Sequence, residues 1–160
     1  MKRTVLVLSM VLVALVSCKK DKKCPEINVA APAAEVANLR TYIQTNNITA
    51  VEDPRGFFYH IDAAGTGKKP TPCDAVMVNY VGTLIDGKTF DEGTNVSFYL
   101  SGLITGWQEA IPLVAAGGTI TLYLPPSLAY GSVPQEGRNG RTGIPANSKL
   151  IFKIDLTQVY

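Results

Sequence analysis

Val76-Met77-Val78-Asn79-Tyr80-Val81-Gly82-Thr83-Leu84-Ile85-Asp86-Gly87-Lys88-Thr89-Phe90-Asp91 is the stretch that decides the fold. Val76, Val78 and Tyr80 alternate with period two, the pattern of a strand with one face in a core. Asp86-Gly87 is a turn signal. An aromatic followed directly by an acid, Phe90-Asp91, comes after the turn. The same texture continues on both sides. Phe57 to Ile61 is an aromatic-rich strand and Gly65-Thr66-Gly67 a turn. Ala75 to Leu84 is expected as the central strand, and Val96 to Leu100 as another. Thr119 to Leu124 places Ile120, Leu122 and Leu124 on one face, and Pro125-Pro126 ends it because proline cannot donate to a ladder. Leu150 to Leu156 alternates and closes the sheet.

One short helix interrupts these strands. Trp107, Ala110, Ile111 and Val114 share a face at helical spacing. Pro112 lies inside that pattern and removes a backbone donor, which predicts an early end or a kink. Gly117-Gly118 is read as the stop. Strands around one amphipathic helix imply an α+β fold, an antiparallel twisted sheet wrapped around one short α-helix. Upstream, Val36, Leu39, Tyr42 and Ile43 form a stripe over residues 34–46, with Asn46-Asn47 as a stop. Such a helix is marginal alone, so it is expected to pack on the domain or on a second copy of itself. No internal repeat or low-complexity tract is visible.

The ends of the 160-residue chain bear on compartment. Lys2 and Arg3 precede an apolar run from Val5 to Val16, too short to span a bilayer comfortably and typical of a signal-peptide core. It ends Leu15-Val16-Ser17-Cys18, which resembles a bacterial lipobox and makes Cys18 the expected lipid attachment site; an ordinary signal peptide with a chance cysteine is the plainer reading. Residues 24–160 hold nine Lys/Arg against twelve Asp/Glu, so the basic charge belongs to the leader and to Lys19-Lys20-Asp21-Lys22-Lys23. No basic stripe lies on the domain, and nucleic acid is not an expected partner. The basic tether either lies against anionic lipid headgroups or is merely solvated. Cys24 and Cys73 are the thiols left over in an exported, oxidising setting, and are expected as a disulfide. Zinc is not expected, since there is no CxxC and His60 is the only histidine.

The motifs come in an order. After the strand and Phe90-Asp91 follow Ile104-Thr105-Gly106-Trp107, Ala129-Tyr130-Gly131, Gly143-Ile144-Pro145 and Leu150-Ile151-Phe152. Together they resemble the FKBP-type peptidyl-prolyl isomerase family, over roughly residues 57–160. The resemblance implies the same α+β architecture, FKBP-like with an N-terminal helical extension. It divides the chain into a lipoprotein signal peptide, 1–18, a tether, 19–33, the helical extension, 34–56, and the isomerase domain, 57–160. By the same resemblance Tyr80, Phe90, Asp91, Ile104, Trp107, Tyr130 and Phe152 are the catalytic positions. Val96, Phe98, Leu103 and Ile144 are the substrate-binding positions. Trp107 would be the pocket floor rather than ordinary core, and the Ile104 N–H would hold a substrate carbonyl. Asp91 is either a strand end with a cap or, as the resemblance implies, a buried acid at the pocket edge, bonded to Tyr80 and Tyr130 because a buried acid needs such partners. There are departures. Val96 stands where the family often carries Phe, which implies a more open rim. Val114 replaces a common Met. The thirteen residues between Tyr130 and Ile144 make a longer loop, which overhangs the pocket and tunes entry or is simply solvated.

The chemistry implied needs no nucleophile, no metal and no cofactor. The barrier to peptide rotation, about 18–20 kcal/mol, comes from amide resonance. A dry aromatic pocket disfavours the more dipolar planar form, and one fixed N–H can hold the adjoining carbonyl. No nucleophile motif such as G-x-S-x-G is present. The expectation is a peptidyl-prolyl cis-trans isomerase that assists folding of exported proteins. Its partners would be proline-containing peptides, unfolded exported proteins and macrolides of the FK506 or rapamycin type. It would be held in the cell envelope, on the periplasmic or surface side of a bacterial membrane, by its lipid. The rivals are a catalytically weak FKBP-fold binding or chaperone module, and a structural lipoprotein without a ligand.

Overall fold

The computed structural model describes residues 27–137 and 140–160. The expectations for the signal peptide, Cys18, Cys24 and most of the tether therefore lie outside the described residues. The chain forms helix α1 (Ala33–Thr45), strands β1 (Val51–Glu52), β2 (Phe58–Ala63), β3 (Ala75–Leu84) and β4 (Thr89–Tyr99), helix α2 (Thr105–Ala110), then β5 (Gly118–Leu124) and β6 (Leu150–Val159). The strands make one six-stranded sheet in the order β1-β2-β5-β6-β3-β4. Every neighbouring pair is antiparallel.

The strand expected at the centre, β3, lies one place from the edge, and β5 and β6 hold the middle. Period two says which face a strand buries; it does not say which strand lies beside it. The segment expected as Val96 to Leu100 is the second half of a longer strand. β4 begins at Thr89, takes in Phe90 and Asp91, and stops at Tyr99. Two irregularities hid its length. Val78 pairs with Val96 but Tyr80 pairs with Gly93, so Asn79 faces both Thr94 and Asn95. Asn95 adopts φ 53° there, and its N–H donates to Asn79 Oδ1 at 2.8 Å. Asparagine tolerates that left-handed conformation better than most residues. The second irregularity lies between Gly82, opposite Asp91, and Thr83, opposite Thr89, and leaves Phe90 as the extra residue. Such bulges bend a strand and re-aim its side chains.

The short helix ends as Pro112 predicts. α2 stops at Ala110 and Ile111–Leu113 continue as a single 3-10 turn. Gly117-Gly118 therefore does not end the helix. Gly117, at φ 85°, turns the chain into β5. A Cβ on Gly118 would lie 2.8 Å from the Ala115 carbonyl oxygen. The expected single stripe is also too narrow: residues Gly106 to Ala110 are all buried. The sheet covers one side of α2, and residues just before α1 cover another. The Val29 N–H donates to Glu109 Oε1 at 2.8 Å.

The main core joins the inner sheet face to Trp107, Ala110, Ile111 and Val114. Phe57, Ile111, Ile120, Leu122 and Ile154 are fully buried in it, and each such side chain contributes about 1.5–3 kcal/mol. Phe57 and Phe58 are neighbours in sequence, so they point to opposite sides. Phe58 forms a second cluster with Val36, Leu39 and Ile43 of α1. The helical extension thus packs on the domain itself. Within the same extension β1 pairs with β2, a strand that no sequence pattern announced.

Candidate active site

An aromatic cavity of about 150 Å³ opens between α2, β3, β4 and β6; it is lined by Tyr80, Asp91, Phe98, Leu103, Ile104, Trp107, Tyr130 and Phe152. A void of that size takes one small apolar ring. Trp107 is its floor and is only 4% exposed. Three rings meet the indole edge to face: Phe152 at 5.2 Å, Tyr80 at 5.3 Å and Phe98 at 6.2 Å between centroids. Edge-to-face contacts suit the ring quadrupoles and add about 0.5–1.5 kcal/mol each beyond burial. They also fix the positions of the walls.

Eight of the eleven pocket positions expected from the sequence line this one cavity. The other three lie around it. Phe90 packs behind, its ring edge to face with Phe152 at 5.5 Å. Phe90 and Ile144 line an adjoining hollow, which shares Asp91 and Tyr130 with the aromatic cavity. Val96 is half-buried, and a Cβ placed on Gly93 would touch both it and the Tyr80 ring. It supports the wall instead of lining the cavity.

Asp91 lies within β4, which corrects the strand-end reading. It is not a buried acid either, since its side chain is 49% exposed. Its Oδ2 accepts from the Tyr80 hydroxyl at 2.7 Å. Its Oδ1 accepts from Arg141 Nη1 at 2.7 Å and from the Glu92 N–H at 3.0 Å. Arg141 also reaches the Glu92 carbonyl oxygen at 3.2 Å and Glu92 Oε1 at 3.3 Å. The expected second tyrosine partner is thus replaced by an arginine, and among the described residues the Tyr130 hydroxyl bonds to nothing. Burial, then the bond to Asp91, pushes the Tyr80 hydroxyl far above its ordinary pKa. Burial, then the nearby Asp91 charge, raises Tyr130 as well. Both phenols stay protonated and can donate.

The backbone entering α2 is arranged with one group left over. The Ile104 carbonyl accepts from the N–H groups of Trp107 at 3.0 Å and Gln108 at 3.2 Å. The Leu103 carbonyl accepts from Gln108 Nε2 at 2.6 Å. The Ile104 N–H donates to no acceptor among the described residues. His60, the only histidine, lies on β2 away from the cavity, 3.9 Å from Asp62.

Four residues that shape the site went unread in the sequence. Gly82 carried a signal, since glycine inside a strand pattern often marks a close approach. A Cβ there would lie 2.6 Å from Phe90 and 2.9 Å from Phe152, so only glycine admits both rings. Gly93 does the same for Tyr80. Gln108 is a buried amide beside Trp107, visible in sequence only as a polar residue next to an apolar stripe. Arg141 gave no signal, because its partner is fifty residues away.

Comparison with known proteins follows the same outline. The model of the family described as FKBP-type peptidyl-prolyl cis-trans isomerase matches residues 66–157. The FKBP-type peptidyl-prolyl cis-trans isomerase FkpA of Escherichia coli strain K12 is 45% identical over 108 residues, which cover 65% of this chain and 38% of that protein. The outer membrane protein MIP of Legionella longbeachae is 44% identical over 110 residues, covering 66% of this chain and 45% of that one. The chain thus spans less than half the length of these two relatives. Among solved structures, FkpA from Escherichia coli superposes with a TM-score of 0.66 at 39% identity, over 79% of this chain and 60% of that one. A peptidyl-prolyl cis-trans isomerase from Pseudomonas syringae pv. tomato gives 0.65 at 32% identity, over 82% of this chain and 98% of that one.

Proposed function

Because this chain belongs to the FKBP-type peptidyl-prolyl cis-trans isomerase family, we propose that it catalyses rotation about Xaa-Pro bonds in exported proteins. The observation that carries the reading is the aromatic cavity beside an unused N–H. A prolyl ring would sit on Trp107 between Tyr80, Phe98 and Phe152. Exclusion of water there would disfavour the dipolar planar amide. The Ile104 N–H would hold the carbonyl beside the twisted bond and favour that state over the planar one. A million-fold acceleration asks for about 8 kcal/mol. Asp91 would act by holding Tyr80 in place and by its charge, with no proton transfer.

The wider role rests on the leader and the tether. Cys18 would carry the lipid, and the basic segment 19–23 would lie between membrane and domain. Clients would be unfolded exported proteins, and macrolides of the FK506 or rapamycin type would compete for the cavity. The loop between Tyr130 and Ile144 would tune which peptides enter, since both ends of it line the site.

The deciding measurement is isomerisation of a short Xaa-Pro peptide series, followed by NMR exchange or a protease-coupled assay. Trp107 is the single tryptophan, so its fluorescence should change as a macrolide fills the cavity. A folded protein that neither speeds exchange nor shifts that fluorescence would not be an isomerase of this kind.

A further inference from the structure

We infer that Gln108 is a positioning residue of the isomerase site: its side chain holds the Leu103–Ile104 peptide so that the Ile104 N–H is presented to the substrate carbonyl. The inference rests on the function proposed above. The geometry is that of one planar group. In a trans peptide the C=O and the following N–H point in opposite directions. The Leu103 carbonyl and the Ile104 N–H are the two edges of a single peptide. Gln108 Nε2 donates to the first edge at 2.6 Å. The second edge is the group left without an acceptor at the cavity wall.

Among the described residues no other hydrogen bond reaches that peptide; the Leu103 N–H, on the peptide before it, donates to the Leu100 carbonyl at 3.2 Å. The Leu103–Ile104 peptide lies between the 3-10 turn Leu100–Gly102 and α2, in extended conformation, with Leu103 at φ −92°, ψ 172° and Ile104 at φ −59°, ψ 149°. No strand ladder runs through it. Gln108 grips the corner twice, through its own N–H to the Ile104 carbonyl at 3.2 Å and through its side chain to the Leu103 carbonyl. A bond accepted at the carbonyl also polarises the N–H on the far side of the same peptide, because hydrogen bonds in a chain strengthen one another. Gln108 would thus both aim and sharpen the donor.

Its chemistry and burial fit that role. Gln108 is 8% exposed, one of few polar side chains in the interior. Its Oε1 accepts nothing among the described residues, so the amide is kept for its donor half. Burying an amide with one end unsatisfied costs stability. A leucine or methionine would fill the same space more cheaply.

The test uses the full chain with Gln108→Met and Gln108→Glu. Gln108→Met keeps length and volume and removes the donor. We expect it to fold, with thermal stability near that of the parent, and to lower kcat/KM about three- to tenfold, the size of one hydrogen bond. In ligand-free protein the Ile104 amide proton should move upfield, while the Trp107 indole resonance stays in place. Gln108→Glu supplies a donor only when protonated. Its activity relative to wild type should therefore rise as pH is lowered from 7 to 5. Tyr80, Asp91 and Tyr130 around the cavity and Glu109 beside Gln108 are the same in both proteins and cancel in that ratio. A Gln108→Met protein within twofold of wild type, or a ratio flat with pH, overturns the inference. A wild-type protein without activity would sink the proposed function instead. The Ile104 amide shift then decides the positioning on its own: a resonance unmoved in Gln108→Met refutes it.

Discussion

Asp91 gathers the polar bonds at the edge of the cavity. Its two carboxylate oxygens receive Tyr80, Arg141 and a backbone N–H. Removing it leaves the half-buried Tyr80 hydroxyl without its acceptor, which costs more than the bond itself, while Arg141 keeps its bonds to Glu92. We therefore expect Asp91→Ala to lower kcat/KM more than Tyr130→Phe, whose hydroxyl has no partner in the described residues to lose. His60→Ala should leave kcat/KM unchanged. Peptide-exchange kinetics on variants shown to be folded by circular dichroism test the ranking, and dependence on His60 with indifference to Asp91 would mean that the site is misplaced. Arg141→Ala is a milder change. Its side chain and that of Asp91 are 35% and 49% exposed, so solvent screens the pair and the loss of stability should be about 1 kcal/mol or less. Phe152→Ala should cost about 3–5 kcal/mol, since Phe152 is buried and braces both Trp107 and Phe90. Urea unfolding of the two variants separates the cases.

At the scale of elements, the extension is fastened to the domain at several points. Glu35 receives the Ser127 N–H at 2.9 Å, Val29 of the preceding tether bonds to Glu109 of α2, and Ala31 ties that tether to the extension through the Arg55 carbonyl at 2.8 Å. α2 carries the pocket floor, and the turn at Ser127 leads into Tyr130. Leu39, at 1% exposure, is the most deeply buried residue of α1. Leu39→Ala should destabilise by about 2 kcal/mol, the low end for a buried leucine because this cluster is small and at the edge. Glu109 gives the second test. Burial holds its carboxyl above the ordinary 4.5, against the pull of the Val29 N–H and Arg55. The folded state then keeps its proton longer than the unfolded one, so stability from this group falls as pH climbs past about 4.5. Glu109→Gln should gain melting temperature relative to wild type between pH 4 and 6.5. A difference independent of pH would mean that Glu109 titrates alike in the folded and unfolded chains.

In the whole molecule a disulfide bears on how the domain is tied to the rest of the chain. Cys73, just before β3, is disulfide-bonded, and the other cysteines of the chain, Cys18 and Cys24, lie outside the described residues. Since Cys18 is the residue proposed above to carry the lipid, Cys24 is the partner we propose. The loop closed would be about 50 residues, worth about 4 kcal/mol in the chain-entropy model. Intact mass after alkylation without reductant should show neither Cys24 nor Cys73 modified. Cys18→Ser should release the protein from the membrane fraction; retention there, with a lipid label still incorporated, would place the anchor elsewhere.

Local chemistry was enough for much of this. Strand alternation, the helix break at Pro112 and the ordered motifs from Tyr80 to Phe152 announced the α+β class. The eight residues that line the cavity were named by the resemblance of those ordered motifs to a known family; side-chain period and turn chemistry, which act over a few residues, supplied only the elements that carry them. What lay beyond the sequence involves partners distant along the chain. The order of strands, the β1 pairing and the Arg141 bond each join segments whose meeting leaves no periodic mark. Phe90 and Val96 were placed in the pocket wall, and a bulge and a close-packed glycine set them behind it. The exposure of Asp91 was misjudged for the same reason, since burial is a property of what surrounds a residue. Gln108 is the sharpest instance. Its amide stands five residues from the carbonyl it holds, and only the folded corner entering α2 turns that short separation into a grip on one peptide plane.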